Sequence, residues 1–468
     1  MLKFFKQFLI YGLASVISKI AAVFLLPLYT NALSKEEYGA MAMIMAMMGI
    51  IDLFSNLNIH SGVARDYYEK DIDRTKLVST GFFSIIFFSI IVFLILFITR
   101  NFWINSVLKI NSYSKAFIIM LCTIPTGSLF SYFGILTRYK QKSVLFFVGN
   151  ILQLVIQILL TVYFVLIKKI GITGVFYGIL FGQLVSIVFF YFINREDFNF
   201  VFSKKLIKRI LAFSLPSLPA ILAGWIDSSL GQILIGKYIS LEDAGEYSIA
   251  LRIVSVFLLI QVALGNVWGP YVYENYNNIN FKENVLKLFK FISLLLIILS
   301  FNISILSNYI ILLLSNSNYL NSSNYLILLI IPMSLNILII FVNIGATISR
   351  KTKYLSYSSI LGSLINLILL IVYLPKYGVI TVPIALMISR LLSYMVLAHF
   401  TQKEINLNFP IKNIVILILV TIFLFFIKSK FTLSLAFSLI FLSIFNILFL
   451  LYFIKHYNLK NLLVNFKK

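Results

Sequence analysis

Five ionisable side chains stand deep inside apolar stretches of this sequence: Lys19, Asp52, Asp227, Arg252 and Arg390. Charge in such a setting is costly, so it faces a water-filled cavity or a partner and marks an ion or ligand pathway. The stretch "AGWIDSSLGQ" (223–232) lies in an apolar run from Ile210 to Ile235 whose single charge is Asp227. At about 1.5 Å per helical residue, Lys19 and Asp52 fall at matching depths on the first two stretches. Asp227 and Arg252 match likewise on the seventh and eighth. Each antiparallel pair thus carries one cation and one anion. Such pairs either hold neighbouring helices together or line a wet cavity. Buried pairs add little stability, which favours the cavity. Arg390 has no acidic residue in its own stretch and is expected to meet water or an anionic ligand.

Uncharged polar residues repeat on the same helical faces. Asp52, Asn56 and His60 recur at i, i+4 and i+8, and Tyr11, Ser15 and Lys19 share that spacing. Asn150, Gln153, Gln157 and Thr161 form a third stripe, while Ser248, Arg252 and Ser255, and Arg390 with Tyr394, form two more. Hydrogen bonding between helices explains any one stripe. Stripes in both halves of the chain favour a shared hydrophilic lumen. His60 reads as a proton relay or as a structural histidine, and the structural reading is the commoner.

Enzyme motifs fail. "GQILIGKY" (231–238) has the glycines and lysine of a phosphate-binding loop, but Tyr238 stands where Ser or Thr must hold magnesium, and no strand precedes it. "DID" (71–73) matches the paired aspartates of sugar transferases but has no nucleotide-binding domain around it. The three histidines, His60, His399 and His456, are far apart and no metal-binding spacing appears. The single cysteine, Cys122, has no intramolecular disulfide partner.

The elements that position these residues follow from composition. Of 468 residues 60% are hydrophobic and 12% charged, with mean hydropathy +0.98; a soluble chain of this size needs far more polar surface. Stretches of about 20 apolar residues, enough to cross a bilayer, recur almost end to end. Fourteen are expected, near 9–32, 41–63, 78–99, 113–137, 143–166, 171–194, 210–236, 244–268, 288–314, 324–348, 356–374, 379–400, 412–428 and 433–454. The first is too long for a cleaved signal and reads as a retained helix. With the N-terminus in the cytoplasm, inner segments hold 26 Lys and Arg and outer loops 10, which places both termini inside. The net charge of +23 is therefore mostly topology, and scattered basic groups exclude a nucleic-acid grip.

The expected fold is an all-α polytopic membrane protein: a six-helix bundle at 1–194, a cytoplasmic linker at 195–209, a second bundle at 210–402, and two further helices with a basic tail at 403–468. The halves look related. "LSKEEYGAMAM" (33–43) and "SLEDAGEYSIAL" (240–251) are acidic loops leading through Tyr38 and Tyr247 into helices, and Tyr67 and Tyr276 follow those tyrosines by 29 residues. Internal repeats of this kind are common in transporters, with the substrate site between the halves.

Several segments carry a family resemblance. "LSKEEYGAMAM", "ARDYYEKDIDRTKLVSTGFF" (64–83), "SLPSLPAILAGWIDSS" (214–229), "GEYSIALRI" (245–253) and "VWGPYVYE" (267–274) resemble, in order and spacing, the bacterial polysaccharide flippases of the Wzx-type or polysaccharide-transport family. That family sits in the superfamily of multidrug exporters and lipid II flippases. The resemblance implies two six-helix bundles around a cavity, with two extra helices. It also implies an alternating-access carrier that turns undecaprenyl-diphosphate-linked oligosaccharides across the cytoplasmic membrane for O-antigen, capsule or similar assembly. Lys19, Arg252 and Arg390 are then candidates for the anionic diphosphate, and Asn150, Gln153 and Gln157 for sugar hydroxyls. Asp52, Asp227, His60 and Asn56 are candidates for ion coupling or for intramembrane pairs. No cofactor is expected beyond a proton or sodium gradient. Partners are the lipid-linked oligosaccharide, membrane lipids, and a polysaccharide polymerase with other assembly proteins. One departure stands out: relatives resemble each other in an Asp-Arg pair about six residues after the seventh-span Trp, where this chain has Gly231-Gln232. A drug exporter of the same superfamily would favour an acidic cavity, whereas the five embedded charges here sum to +1. A membrane polymerase or glycosyltransferase would need a large outer loop or an acidic site near the membrane face.

Overall fold

A computed structural model describes residues 23, 25–351, 353–430 and 434–456. Lys19, with Tyr11 and Ser15 on its face, lies outside the described residues, as does most of the first expected span. The described chain is helical throughout. Among the described residues, twelve helices are long and apolar enough to cross a membrane. A short outer piece of the first span, α1 (Leu26–Ala32), precedes them.

The amino-terminal half comprises α2 (Lys35–Asn56), α3 (Ile59–Asp66), α4 (Arg74–Ile98), α5 (Ser114–Tyr139), α6 (Ser143–Val162) and α7 (Ile172–Asn194). The seventh span is segmented into α8 (Lys204–Ser214), α9 (Leu218–Trp225) and α10 (Gly231–Tyr238). The carboxy-terminal half continues with α11 (Leu241–Val254), α12 (Val256–Asn275), α13 (Phe281–Leu314), α14 (Ser322–Val342), α15 (Lys353–Tyr377) and α16 (Thr381–Glu404). Two more helices follow: α17 (Ile411–Lys430), and α18 (Leu435–His456), which is apolar over Leu435–Phe449. The end bearing the α1–α2 and α10–α11 connections is called outer below, following the Lys and Arg bias.

Local chemistry explains the boundaries. Ser34 caps α2 through its Oγ on Glu37 N, and the Glu37 carboxylate returns to Ser34 N, closing a capping box. Ser240 caps α11 in the same way on Asp243 N. The two loops are thus repeats, but in register at their serines, and the tyrosines Tyr38 and Tyr247 are offset from it by three residues. The serine register places Gly39 and Gly245 each five residues into its helix. There α2 and α11 cross: a Cβ on Gly39 would lie 1.7 Å from the Leu241 carbonyl oxygen, and one on Gly245 would lie 2.8 Å from that of Lys35. The contact is reciprocal, as a two-fold relation between the halves requires.

Breaks in two spans fall together. Leu57 and Asn58 adopt left-handed backbone (φ 46° and 54°) and divide α2 from α3. The seventh span turns through a 3₁₀ segment at Leu215–Ser217, where Pro216 removes an N–H. Asn58 Nδ2 donates to Ser217 Oγ at 2.8 Å, tying one break to the other. The linker expected at 195–209 is partly helical: α8 runs through the 209/210 boundary and packs on α3 and α4, with Ile210 buried against Gly62. Arg209 clamps Asp66 through Nε and Nη2 at 2.7 and 3.1 Å.

Packing sorts the helices by exposure. α14 is enclosed along its length. α6 is peripheral and presents Val144, Val148, Val155 and Leu159 outward, the apolar face that lipid requires. Gly178 and Gly182 of α7 let it approach α6 closely, since a Cβ on either would meet the carbonyl of Gln157 or Gln153 under 3 Å.

Candidate functional site: charges between and within the two halves

Asp227 occupies a π-helical segment, Ile226–Leu230, between α9 and α10. Such bulges open the hydrogen-bond ladder and often coincide with function. The Asp227 side chain is buried and ringed by donors. Its Oδ2 lies 2.7 Å from Ser363 Oγ and 3.0 Å from Arg390 Nη2. Its Oδ1 accepts from Asn366 Nδ2 at 2.8 Å and faces Ser389 Oγ at 3.4 Å. Ser363 and Asn366 come from α15, and Ser389 and Arg390 from α16. Gly362 makes this meeting possible: a Cβ there would lie 2.1 Å from Ser393 Oγ and 2.8 Å from the Ser389 carbonyl. Small residues bring α15 and α16 together, and the carboxylate of the seventh span plugs the groove between them.

The structure corrects two sequence expectations here. Arg390 is not without an acidic partner; its guanidinium meets Asp227 from a helix remote in sequence. Asp227, in turn, does not pair with Arg252. Depth matching selects neighbours along the chain, whereas the groove of α15 and α16 supplies Asp227 with better-placed donors. Gly231, which stands where relatives resemble each other in an acid, packs on α16, where a Cβ would lie 2.4 Å from Val382 Cγ1.

Arg252 sits instead at the contact between the halves. Its guanidinium lies 5.5 Å from the Tyr29 ring centre and 5.4 Å from that of Tyr38, with Nη2 3.6 Å from Met45 Sδ. A cation between two ring faces gains from both quadrupoles. Around it the outer ends are stitched together. Lys35 Nζ reaches the buried Glu246 carboxylate at 2.6 Å, and Asn316 Nδ2 donates to the Thr30 carbonyl at 2.7 Å. Met43 fills the space left by Gly236, and Trp225 Nε1 donates to the Ala46 carbonyl at 2.9 Å.

Asp52 differs from Asp227 in every respect. It is exposed at mid-helix on α2, one turn inward from Gly49, which touches the Trp225 ring. Its Oδ1 lies 3.4 Å from Ser128 Oγ of α5, and Ser128 Oγ is 3.0 Å from Ser55 Oγ. Asn56 Oδ1 accepts from Asn58 N at 2.9 Å and so braces the break in the span. His60 lies half-buried on α3, beyond that break.

The amide stripe of α6 runs along its seam with α7. Gln153 Nε2 donates to Gln157 Oε1 at 2.7 Å, and Asn150 Nδ2 to the Phe146 carbonyl of its own helix at 2.8 Å. Both bonds run within α6. Sequence reasoning missed the hydroxyl and amide groups Ser363, Asn366 and Ser389. Their signal was the spacing of small polar residues on the eleventh and twelfth spans.

Comparison with known proteins follows the same lines. A family model described as "Polysaccharide biosynthesis protein" matches residues 4–276, more than half of the chain. The chain belongs to that family. The succinoglycan biosynthesis transport protein ExoT of Rhizobium meliloti (strain 1021) is 24% identical over 247 residues, 52% of this chain and 48% of that protein. The matched region thus spans about half of the relative's length. Among solved structures, the lipid II flippase MurJ in its inward closed conformation aligns with TM-score 0.75 at 18% identity, covering 95% of this chain and 98% of that one. An inward-facing multidrug resistance transporter of the MATE family and MOP superfamily aligns at 0.66 and 16% identity, covering 83% and 94%. An outward-facing one aligns at 0.58 and 15%, covering 86% and 94%. This polysaccharide biosynthesis family member therefore shares the fold of these solved structures.

Proposed function

We propose that this protein is a flippase that moves undecaprenyl-diphosphate-linked oligosaccharides across the cytoplasmic membrane by ion-coupled alternating access. The family match carries the reading, and the placement of Arg252 supports it. A half-buried guanidinium on the contact between the halves stands where alternating access would load and release a ligand. Its planar donors suit a diphosphate better than an ammonium does. Arg252, with Lys19, is the proposed anion contact; Arg390 is set aside because Asp227 already neutralises it. Gln153, Gln157 and Asn150 are proposed as glycan contacts that exchange their bonds within α6 for sugar hydroxyls. The outer ends are shut in this state, so the substrate would enter from the inner side.

The test is transport in reconstituted vesicles. Fluorescent lipid-diphosphate oligosaccharide in the outer leaflet is bleached by a membrane-impermeant quencher. Wild-type protein should lower the protected fraction faster than lipid scrambling alone, and Arg252→Ala should slow it by about tenfold, the loss of one charge-assisted contact of about 1.5 kcal/mol. Equal rates with and without protein would overturn the proposal.

A further inference from the structure

Resting on the flippase reading, we infer that Asp52 is the proton-carrying carboxylate of this transporter and that Asp227 is not. The two acids lie on adjacent helices but in opposite environments. A coupling group must exchange its cation with water in at least one state. Asp227 is enclosed, with Arg390 Nη2, Ser363 Oγ and Asn366 Nδ2 all within 3.0 Å of its oxygens. A tethered guanidinium already fills the place of a mobile cation there. Protonating that carboxylate would strip Arg390 of its counter-charge inside the protein and leave a buried guanidinium unmatched.

Among the described residues no cation pairs with Asp52. It is exposed in the middle of an apolar helix, a placement that lipid does not tolerate and that water between the halves does. The neighbouring turn fixes which way it faces: Gly49 meets Trp225 of the other half, so Asp52 lies just inward of where the halves separate. Its polar surroundings are two hydroxyls and an amide: Ser128 Oγ at 3.4 Å, Ser55 Oγ beyond it, and the Asn56 side chain one turn along the helix. Ser55 Oγ also lies 3.0 Å from the Asp52 carbonyl. A proton needs only the carboxylate, whereas sodium needs a cage of several oxygens at close range, and one hydroxyl at 3.4 Å with one side-chain amide is not a cage.

The charged groups around it are few. On the helices packed against α2, the charges of α4 and α5 (Arg74, Lys76, Lys115, Arg138) sit at helix ends, and α7 and α9 have none. Asp227 is paired, and Arg252 of α11 lies two turns outward on Met45. Lys237 and the acids of α11 are at the outer end. Lys19 of the first span lies outside the described residues. Binding forms an O–H bond on the Asp52 carboxylate with a proton from the water it faces, and reopening on the other side returns that proton to water.

The proton site is tested without substrate. Infrared difference spectra of the purified protein, stepped between acid and neutral pH, should show a carboxylic-acid carbonyl band that vanishes in Asp52→Asn and persists in Asp227→Asn. A band that survives in Asp52→Asn, or is lost in Asp227→Asn instead, would overturn the assignment. In vesicles, an inward-to-outward pH gradient should raise the wild-type rate, and the ratio of rates with and without the gradient should fall to about 1 in Asp52→Asn. Stimulation by sodium alone, or an unchanged ratio in the variant, counts against it. A normal infrared result with no flipping by wild-type protein would sink the flippase reading while leaving the proton site standing.

Discussion

At the scale of single residues, the Asp227–Arg390 clasp makes the sharpest stability prediction. Removing one member of a buried pair leaves the other charged and unmatched, at a cost of about 3–5 kcal/mol. Asp227→Asn and Arg390→Gln should each lower the unfolding temperature in detergent, and the double variant should recover most of the loss. Exchanging the two residues should also restore stability, whereas exchanging Asp227 with Arg252 should not, because those side chains do not meet. Single variants that unfold with the wild type would show the clasp to be absent. Arg252→Ala, in contrast, should leave the protein folded in the membrane and reduce surface polysaccharide, and Arg252→Lys should rescue only in part because a lysine lacks the planar stacking surface. The sequence showed which charges are embedded but not which of them touch. Depth along a helix is readable from residue count; the neighbour across a groove is not, since it depends on how closely small residues such as Gly362 let α15 and α16 approach.

At the scale of elements, the crossing of α2 and α11 is the piece that closes the outer end. Gly39 and Gly245 sit backbone against backbone, and no side chain larger than hydrogen fits. Gly245→Leu should hold the outer ends apart. A cysteine introduced at Met43, below the crossing, should then react several-fold faster with an impermeant thiol reagent from outside than in the wild type, both in a background lacking Cys122. Equal reactivity would mean that the crossing does not gate access. The loop joining α14 to α15 shows a second kind of tie. Lys351 Nζ lies 2.7 Å from Glu404 Oε1 at the end of α16, and that hydrogen bond raises the Lys351 pKa above its ordinary value. Its contribution is complete below the ordinary lysine range and fades only as pH climbs through the raised value, so the tie holds at any physiological pH. Helix starts were legible because capping is local: Ser34 with Glu37 and Ser240 with Asp243 are four-residue signals. The breaks at Leu57–Asn58 and Ile226–Leu230 were not, because neither carries a glycine or proline at the break itself; the first is tied to Ser217 of the other half and the second, through Asp227, to α15 and α16.

At the scale of the whole molecule, the apolar stretches anticipated the order of the twelve long apolar helices among the described residues, since crossing a bilayer demands a countable length of greasy helix. The serines that begin α2 and α11 also revealed a two-fold relation that the tyrosine spacing had placed three residues out of register. What composition could not convey is how the halves share the seventh span. Its inner third is bound to the amino-terminal half through Arg209–Asp66 and Asn58–Ser217, and its outer part to α15 and α16 through Asp227. Those ties depend on side chains more than 130 residues apart and on no motif. They also revise the charge balance of the interior. With Asp227 and Arg390 cancelling, Arg252 and Asp52 remain as the cation and anion outside any ion pair among the described embedded residues, the proposed contacts for an anionic ligand and for a proton.

The decisive measurement is the leaflet in which the lipid-linked oligosaccharide resides in cells of the natural host. Deleting the gene should strand the intact lipid-diphosphate oligosaccharide on the cytoplasmic side, protected from an impermeant periodate or lectin probe, and remove surface polysaccharide; restoring the wild-type gene should reverse both. Surface polysaccharide at wild-type level in the deletion strain, with the intermediate fully reactive from outside, would contradict the flippase assignment.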